Sequence, residues 1–504
     1  MASSRFKPYR AVRWAIQLAF LALFVVLFGL TRYGVEPGLQ NLFFRIDPLV
    51  LLVTSIAGRA LVGAALVSLV LVGLTLVFGR FFCGFVCPLG TTIDLADAAI
   101  GRRRRSAPVS LPGLKYAVLV FLVVAAVLRF SFLGFADPLV IMERSLALVW
   151  RPVAGYLFGW AGNLPAAGQT ETLGAALVFV AILALGFLAR RFWCRNLCPL
   201  GALLALLSKV SLFRFRLAGE CRQCGVCSRV CPTGAIDDAR RTLDAGECIE
   251  CLACQYECPD RSVRYRAGFT RTRFDLGRRQ ALAAVGSAVV LAPLARAAVY
   301  RKLQARLVRP PGAIPEPDFM NACLRCGMCM KACPTGCLQP TVFEAGVAGL
   351  WTPRAVARLG GCEKNCNTCG QVCPTGAIRK LGLEEKTYAR MGTAVVDRAR
   401  CIAWEQDKHC LICDEICPYD AIAAVPDPEG RGTALRPEVD ERICIGCGLC
   451  ESRCPVDGPA AIQVFSINEE RVRTGSYITE EKRSLRGCGQ SKPEEIPSGF
   501  ILEE

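Results

Sequence analysis

The sequence predicts an α-helical integral membrane domain of four spans, arranged as a two-span tandem repeat, followed by small α+β domains built around cysteine ligands. Three observations predict it. Four apolar segments, near 14–31, 60–79, 114–133 and 172–190, each approach the ~20 residues that a bilayer crossing needs. The stretch "FFCGFVCPLG" (81–90) recurs as "FWCRNLCPLG" (192–201), and "RIDPLV" (45–50) recurs as "FADPLV" (135–140). Finally, 30 of the 504 residues are cysteine. Most stand two or three residues apart, too close for mutual bridging, so ligation is the better reading than disulfides.

The spans account for the composition. Hydrophobic residues make up 53% of the chain, concentrated in the first 200 positions. Charge is lopsided too: residues 1–300 hold 34 Lys+Arg against 16 Asp+Glu, whereas residues 301–504 hold 26 against 27. Retention of Lys and Arg on the cytoplasmic side of a membrane explains that excess without nucleic acid as a partner. Arg5, Lys7, Arg10 and Arg13 precede the first span, Arg80, "GRRRR" (101–105) and Lys115 follow the second, and Arg190, Arg191, Arg195, Lys209, Arg214 and Arg216 follow the fourth. Both C-x-x-x-C-P elements are therefore expected at the cytoplasmic face. The first segment reads as an anchor, because "RYGVEPG" follows it rather than a small-residue cleavage site.

The repeat unit is span, Asp-Pro-Leu-Val, span, Cys-x-x-x-Cys-Pro-Leu-Gly. Two copies in parallel imply pseudo-twofold symmetry about the membrane normal. That symmetry brings Cys83, Cys87, Cys194 and Cys198 to one face as a candidate redox relay or metal site; the alternative is four reduced thiols packed as small apolar residues. Asp47 and Asp137 fall at the opposite face. Each alone reads as a turn-former before proline, and as a pair they are candidate proton acceptors.

Six cysteine runs follow. "CRQCGVCSRVCP" (221–232) and "CIECLACQYECP" (248–259) fit C-x2-C-x2-C-x3-C-P, the ligand run of bacterial 2[4Fe-4S] ferredoxin domains. In that pattern the fourth cysteine crosses to the neighbouring cluster. One cluster then takes Cys221, Cys224, Cys227 and Cys258, and the next takes Cys248, Cys251, Cys254 and Cys231. "CLRCGMCMKACP" (323–334) and "CIGCGLCESRCP" (444–455) are regular, while "CEKNCNTCGQVCP" (362–374) and "CIAWEQDKHCLICDEICP" (401–418) have a stretched first gap. The same crossover gives Cys323, Cys326, Cys329 with Cys373; Cys362, Cys366, Cys369 with Cys333; Cys401, Cys410, Cys413 with Cys454; and Cys444, Cys447, Cys450 with Cys417. Six [4Fe-4S] clusters are thus expected. Zinc is the alternative, but Cys₄ zinc sites favour two separated C-x2-C knuckles. Cys337 and Cys488 read as spare thiols.

The single histidine, His409, excludes further chemistry. It cannot supply paired haem ligands, and no C-x-x-C-H sequence occurs, so no haem is expected. Beside Cys410 it reads as a surface or outer-sphere group.

The expected domains are 1–218 (four spans with two C-x-x-x-C-P elements), 219–266 (a cytoplasmic two-cluster ferredoxin domain), 267–317 (a joining segment), 318–468 (four further clusters) and 469–504 (a charged tail). The joining segment contains Arg278–Arg279, about 16 apolar or small residues and then "ARA", an order like that of a twin-arginine export signal. A crossing there puts residues 301–504 in the periplasm. The alternative is an amphipathic linker on the cytoplasmic surface. "RPPGAIPEP" (309–317) reads as a stiff linker.

With these motifs in place the chain resembles a known pair of families. The first ~270 residues are similar to the NapH/MauN-type membrane ferredoxins, with four spans, two C-x-x-x-C-P elements and a two-cluster domain. Residues ~271–470 resemble the NapG/MauM-type ferredoxins, including the twin-arginine leader and the run from Trp404 to Pro418. The resemblance implies a fused quinol dehydrogenase module of the cytoplasmic (inner) membrane. Its partners would be membrane quinol and a periplasmic or membrane-associated oxidoreductase or cytochrome. A different class is also open: an assembly, maturation or regulatory factor that reduces a metal ion for a metalloenzyme.

Overall fold

The computed structural model describes residues 8–31, 39–59, 63, 66–100, 111–150, 169–217, 221–237, 242–268, 277–301 and 306–487, apart from positions 222, 261, 343, 428, 429 and 431. Contacts divide the chain into two compact units. The first joins Met1–Gln304 with Ala313–Arg354 and Thr368–Lys380, and the second joins Ala305–Gly312 with Ala355–Asn367 and Leu381–Glu504.

Helix α1 (Pro8–Leu30) opens the first unit. Its 23 residues reach about 34 Å at 1.5 Å per residue, and among the described residues it is the one helix long and apolar enough to cross a membrane. The other apolar segments form shorter helices: α2 (Pro48–Gly58), α3 (Ser68–Phe78), α4 (Pro88–Ile100), α5 (Pro112–Val127), α6 (Pro138–Ser145), α7 (Gln169–Ala184) and α8 (Pro199–Ser208). The segment expected over 60–79 is thus helical from Ser68, with 60–62, 64 and 65 outside the described residues. It stops where Gly79 turns left-handed at φ 73°.

The internal repeats prove to be helix starts. Asp47 and Asp137 cap α2 and α6, each through Oδ1, which accepts from Leu49 and Val50 N–H in one case and from Leu139 and Val140 N–H in the other. Pro48 and Pro138 occupy the first helical turn, where a missing N–H costs nothing. Cys87 and Cys198 stand likewise before Pro88 and Pro199 at the starts of α4 and α8. Packing crosses between the repeats: α2 lies on α5 and α8, and α4 on α6. Helix α9 (Arg278–Arg301) packs along α5.

A small two-sheet domain follows α8. Strand β1 (Phe213–Leu217) pairs antiparallel with β4 (Val263–Ala267), Phe213 opposite Ala267, and β2 (Ile236–Asp237) pairs with β3 (Thr242–Leu243). Phe215, Ala235, Ile236 and Val263 form its core with Cys248 and Cys254. The second unit repeats this plan. Strand β5 (Thr393–Val396) pairs with β8 (Ile462–Phe465), and β6 (Ile422–Val425) with β7 (Arg436–Val439). Cys444, Cys447 and Cys450 pack there among Met391, Ile422, Ile445 and Val464. The eight-residue gap after Cys401 is anchored by Trp404, whose Nε1 donates to Pro437 O and whose ring centre lies 4.1 and 4.8 Å from the guanidinium carbons of Arg398 and Arg436.

Candidate functional site

Each regular cysteine run folds into the same loop. The residues flanking its second cysteine take left-handed backbone: Gln223 and Gly225 (φ 55°, 64°), Glu250 and Leu252 (55°, 64°), Arg325 and Gly327 (59°, 84°), Gly446 and Gly448 (71°, 76°). Alternation of this kind turns successive N–H groups toward one point and makes a cradle for an anionic group. The fourth cysteine is extended before its proline, with φ, ψ of −67°, 115° at Cys231, −71°, 119° at Cys258, −70°, 116° at Cys333 and −58°, 124° at Cys454. Most of these closing sulfurs also accept a backbone N–H: Ala235 to Cys231 and Ser262 to Cys258 at 3.3 Å, Ile378 to Cys373 at 3.5 Å, Ala421 to Cys417 and Ala461 to Cys454 at 3.4 Å.

In the first unit the sulfurs meet in crossover sets. One cavity is lined by Cys221, Cys224, Cys227 and Cys258, a second by Cys231, Cys248, Cys251 and Cys254, and a third by Cys323, Cys326, Cys329 and Cys373. In the second unit Cys417 is an electrostatic neighbour of Cys444, Cys447 and Cys450, and Cys454 neighbours Cys410, itself beside Cys401 and Cys413. Of the remaining expected set, Cys362 and Cys366 belong to the second unit and Cys333 and Cys369 to the first. Cys337 is buried outside all of these sets, His409 is exposed, and Cys488 lies outside the described residues.

The donor chemistry fits iron–sulfur clusters. Burial pushes the Cys413 and Cys447 thiols up to about 12, so at neutral pH they stay protonated unless a cationic cluster replaces the proton. Among the described residues no three thiol, imidazole or carboxylate groups converge closely enough for a single ion. Four sulfurs standing around a cavity suit a cube instead. Each cube, when bound, supplies one-electron redox chemistry.

The two ends of α1 carry different cysteine sets. At its N-terminal end, Tyr9 donates to Glu257 (2.7 Å) and stacks on Tyr256 (ring centroids 4.6 Å apart), and Arg10 pairs with Glu257 at 2.5 Å. The same cysteine domain is also held by Lys115, fully buried, which pairs with Glu247 at 2.6 Å, and by Arg80, which donates to Gly246 O at 2.6 Å. Gly84 rests directly on Ile249 O, and any side chain there would collide with that backbone. At the other end Lys331 donates to Phe28 O and to Thr31 O (2.8 Å), Arg129 pairs with Asp318 at 3.4 Å, and Arg325 donates to Ser131 O at 3.2 Å while lying 4.9 Å from the centre of the Phe135 ring. The Lys115–Glu247 pair yields a prediction. Glu247→Gln strands a buried ammonium and is expected to cost about 3–5 kcal/mol, read as earlier thermal loss of the Cys221–Cys258 domain's cluster spectrum. Lys115→Met with Glu247→Met restores most of it.

Asp47 and Asp137 are both fully buried. Their Oδ2 atoms have no hydrogen-bond partner among the described residues, and the two carboxyls are electrostatic neighbours. Two like charges buried side by side disfavour each other, so both carboxyls are not ionised together. Asp137 stands two residues beyond Phe135, whose ring touches Arg325, the residue before Cys326. Cys83, Cys87, Cys194 and Cys198 are electrostatic neighbours of one another across the repeats. In the sequence alone Arg80 and Arg191 stand out only as topology-setting charges. The structure buries them beside these thiols, and the available signal was their shared position three residues before Cys83 and Cys194.

Fold and sites together define an iron–sulfur electron-transfer protein with several 4Fe-4S ferredoxin domains. Family models described as "4Fe-4S dicluster domain" match residues 215–259 and 408–457, and one described as "4Fe-4S binding domain" matches residues 60–108 and 172–218. The methylamine utilization ferredoxin-type protein MauM of Paracoccus denitrificans is 38% identical over 198 residues, covering 37% of this chain and 87% of that protein. The ferredoxin-type protein NapG of Escherichia coli is 38% identical over 205 residues, 39% of this chain and 84% of that protein. Protein NirI of P. denitrificans is 31% identical over 252 residues, 46% of this chain and 33% of that protein. The chain belongs to the MauM/NapG family of ferredoxin-type proteins.

Proposed function

We propose that this protein is a multi-pass component of the cytoplasmic membrane that oxidises membrane quinol and delivers the electrons, through six [4Fe-4S] clusters, to a periplasmic or membrane-associated oxidoreductase or cytochrome. Its first ~270 residues act as a NapH/MauN-type module fused to the MauM/NapG-type remainder. The observation that carries this reading is the buried Asp47–Asp137 pair, with Phe135, two residues before Asp137, placing its ring centre 4.9 Å from the guanidinium carbon of Arg325, a residue that lines the Cys323–Cys326–Cys329–Cys373 cavity. A quinol gives up two protons and two electrons together, so an acceptor of each kind is needed side by side. In two successive one-electron steps the carboxyl pair would take one proton each time and release it before the next, while a one-electron cluster held by the cysteine set would accept one electron each time and pass it on.

Topology supports the same reading. The basic N-terminal end of α1 carries the Cys221–Cys258 domain, its far end carries the Cys323 set, and α9 along α5 provides the chain's return across the layer. The Cys221–Cys258 domain is then cytoplasmic and the C-terminal clusters are periplasmic. The test is anaerobic proteoliposomes given a quinol. Clusters should become reduced within seconds and only when quinol is present. Clusters that dithionite reduces but quinol never does would refute the proposal.

A further inference from the structure

We propose that the Cys221–Cys224–Cys227–Cys258 set is a second electron port, at which the chain exchanges single electrons with a small soluble carrier whose docking face is acidic. On the proposed topology this domain faces the cytoplasm, the one point on which the port depends on that reading, and nothing there yet meets its solvent side. The two cysteine sets of the domain differ in exposure. In the inner set Cys248, Cys251 and Cys254 are buried, and their loop lies against the helices of the first unit where Gly84 rests on Ile249 O. In the outer set Cys221, Cys227 and Cys258 are half-buried and Cys224 is exposed, the one exposed cysteine among the described residues. An exposed ligand brings the edge of a cluster within reach of a second protein, and the buried set behind it is the next stop.

Charge in this domain is sorted by side. Three carboxylates turn inward: Glu247 pairs with Lys115 at 2.6 Å, Glu257 pairs with Arg10 at 2.5 Å, and Glu250 is buried. Three arginines, Arg229, Arg264 and Arg266, are exposed. Arg229 donates to Cys224 O at 2.9 Å and to Gly225 O at 3.1 Å, which fixes a guanidinium on the loop of the exposed cysteine itself. In the β1–β4 pair Arg264 stands directly opposite Arg216, and Arg266 opposite Arg214, so four arginines share one face of a two-stranded sheet. Like charges opposed in this way destabilise a sheet. Among the described residues no carboxylate pairs with Arg264 or Arg266.

The basic face adjoins the port. Val263, the residue before Arg264, lines the same cavity as Cys221, Cys224, Cys227 and Cys258. Asp237 and Asp260 line it as well, and both already have partners. A carrier with an acidic face relieves the opposed arginines, and charges at the rim of such a contact act mainly on the rate of encounter. A [4Fe-4S] cluster changes by one electron, so the carrier is a one-electron protein of the flavin or iron–sulfur class. Each encounter moves one electron from the reduced carrier to the oxidised outer cluster, or back, and no bond is made or broken.

The probe is flavodoxin, a small acidic one-electron carrier, reduced beforehand and mixed anaerobically with the full chain in neutral detergent, without quinol. Clusters should become reduced, and the second-order rate should fall at least about tenfold in Arg264→Glu with Arg266→Glu, the lower end of what electrostatic steering supplies. In about 1 M salt, where the Debye length is about 3 Å, the two rates should converge. Iron content and cluster spectrum should match between the two proteins. Arg264→Gln with Arg266→Gln, a milder change, should give an intermediate rate and covers the case in which charge reversal disturbs the fold. No reduction by flavodoxin, or equal rates at low salt, would overturn the port. So would an unchanged rate together with lost retention of phosphatidylglycerol, which would assign the arginines to the lipid surface. Flavodoxin-driven reduction without quinol-driven reduction would sink the proposed function alone, and the reverse would sink only this port.

Discussion

Quinol-driven cluster reduction is expected to slow by at least about 100-fold in the double variant Asp47→Asn with Asp137→Asn, the usual scale for loss of a proton acceptor. The substitution is chosen to keep the fold. An asparagine Oδ1 accepts from Leu49 and Val50, or from Leu139 and Val140, as the aspartate does, and asparagine caps helices about as well. What disappears is the capacity of the carboxyl pair to take a proton. Dithionite reduction should be unchanged, which separates lost proton transfer from lost clusters. Single variants should lose less, because one carboxyl remains. A double variant with wild-type quinol kinetics would reduce the pair to two helix caps.

Removing the iron should have the second largest effect, and a local one. The domain of residues 213–268 is built on sheets of two strands, with five paired positions in one and two in the other. Two-stranded sheets are marginal in water, and cysteines make up much of this core. Cluster binding is therefore most of its folding free energy. After anaerobic iron removal, amides of β1 and β4 should lose hydrogen-exchange protection, while α5, held between α8 and α9, keeps it. Slow exchange throughout residues 213–268 in the iron-free protein would show a core that stands without its clusters.

Much of this was legible because cysteine spacing is local. A run of C-x2-C-x2-C-x3-C-P leaves little freedom in how its loop closes, and the crossover sets in the three first-unit cavities are those the spacing implied. The D-P-L-V and C-P-L-G repeats announced helix starts for an equally local reason, a capping acceptor followed by a proline at the first turn. Continuous spans were less legible. Hydropathy scores residues 172–190 as uninterrupted, but the 3₁₀ turn over Leu185–Phe187 depends on backbone geometry that apolar side chains do not encode. Least legible were the long-range partners. Nothing near Arg80 marks it for Gly246, and nothing near Lys331 marks it for the end of α1. Such contacts join residues more than 100 positions apart, and charge alone names only the membrane face.

The central claim is that electrons from quinol reach clusters on the periplasmic side of the bilayer. Sealed right-side-out vesicles, reduced by quinol and then exposed to a membrane-impermeant oxidant such as ferricyanide, test it directly. The account predicts rapid bleaching of the C-terminal clusters from outside, with the Cys221–Cys258 domain protected from direct attack. Bleaching of the C-terminal clusters only in inverted vesicles would contradict it.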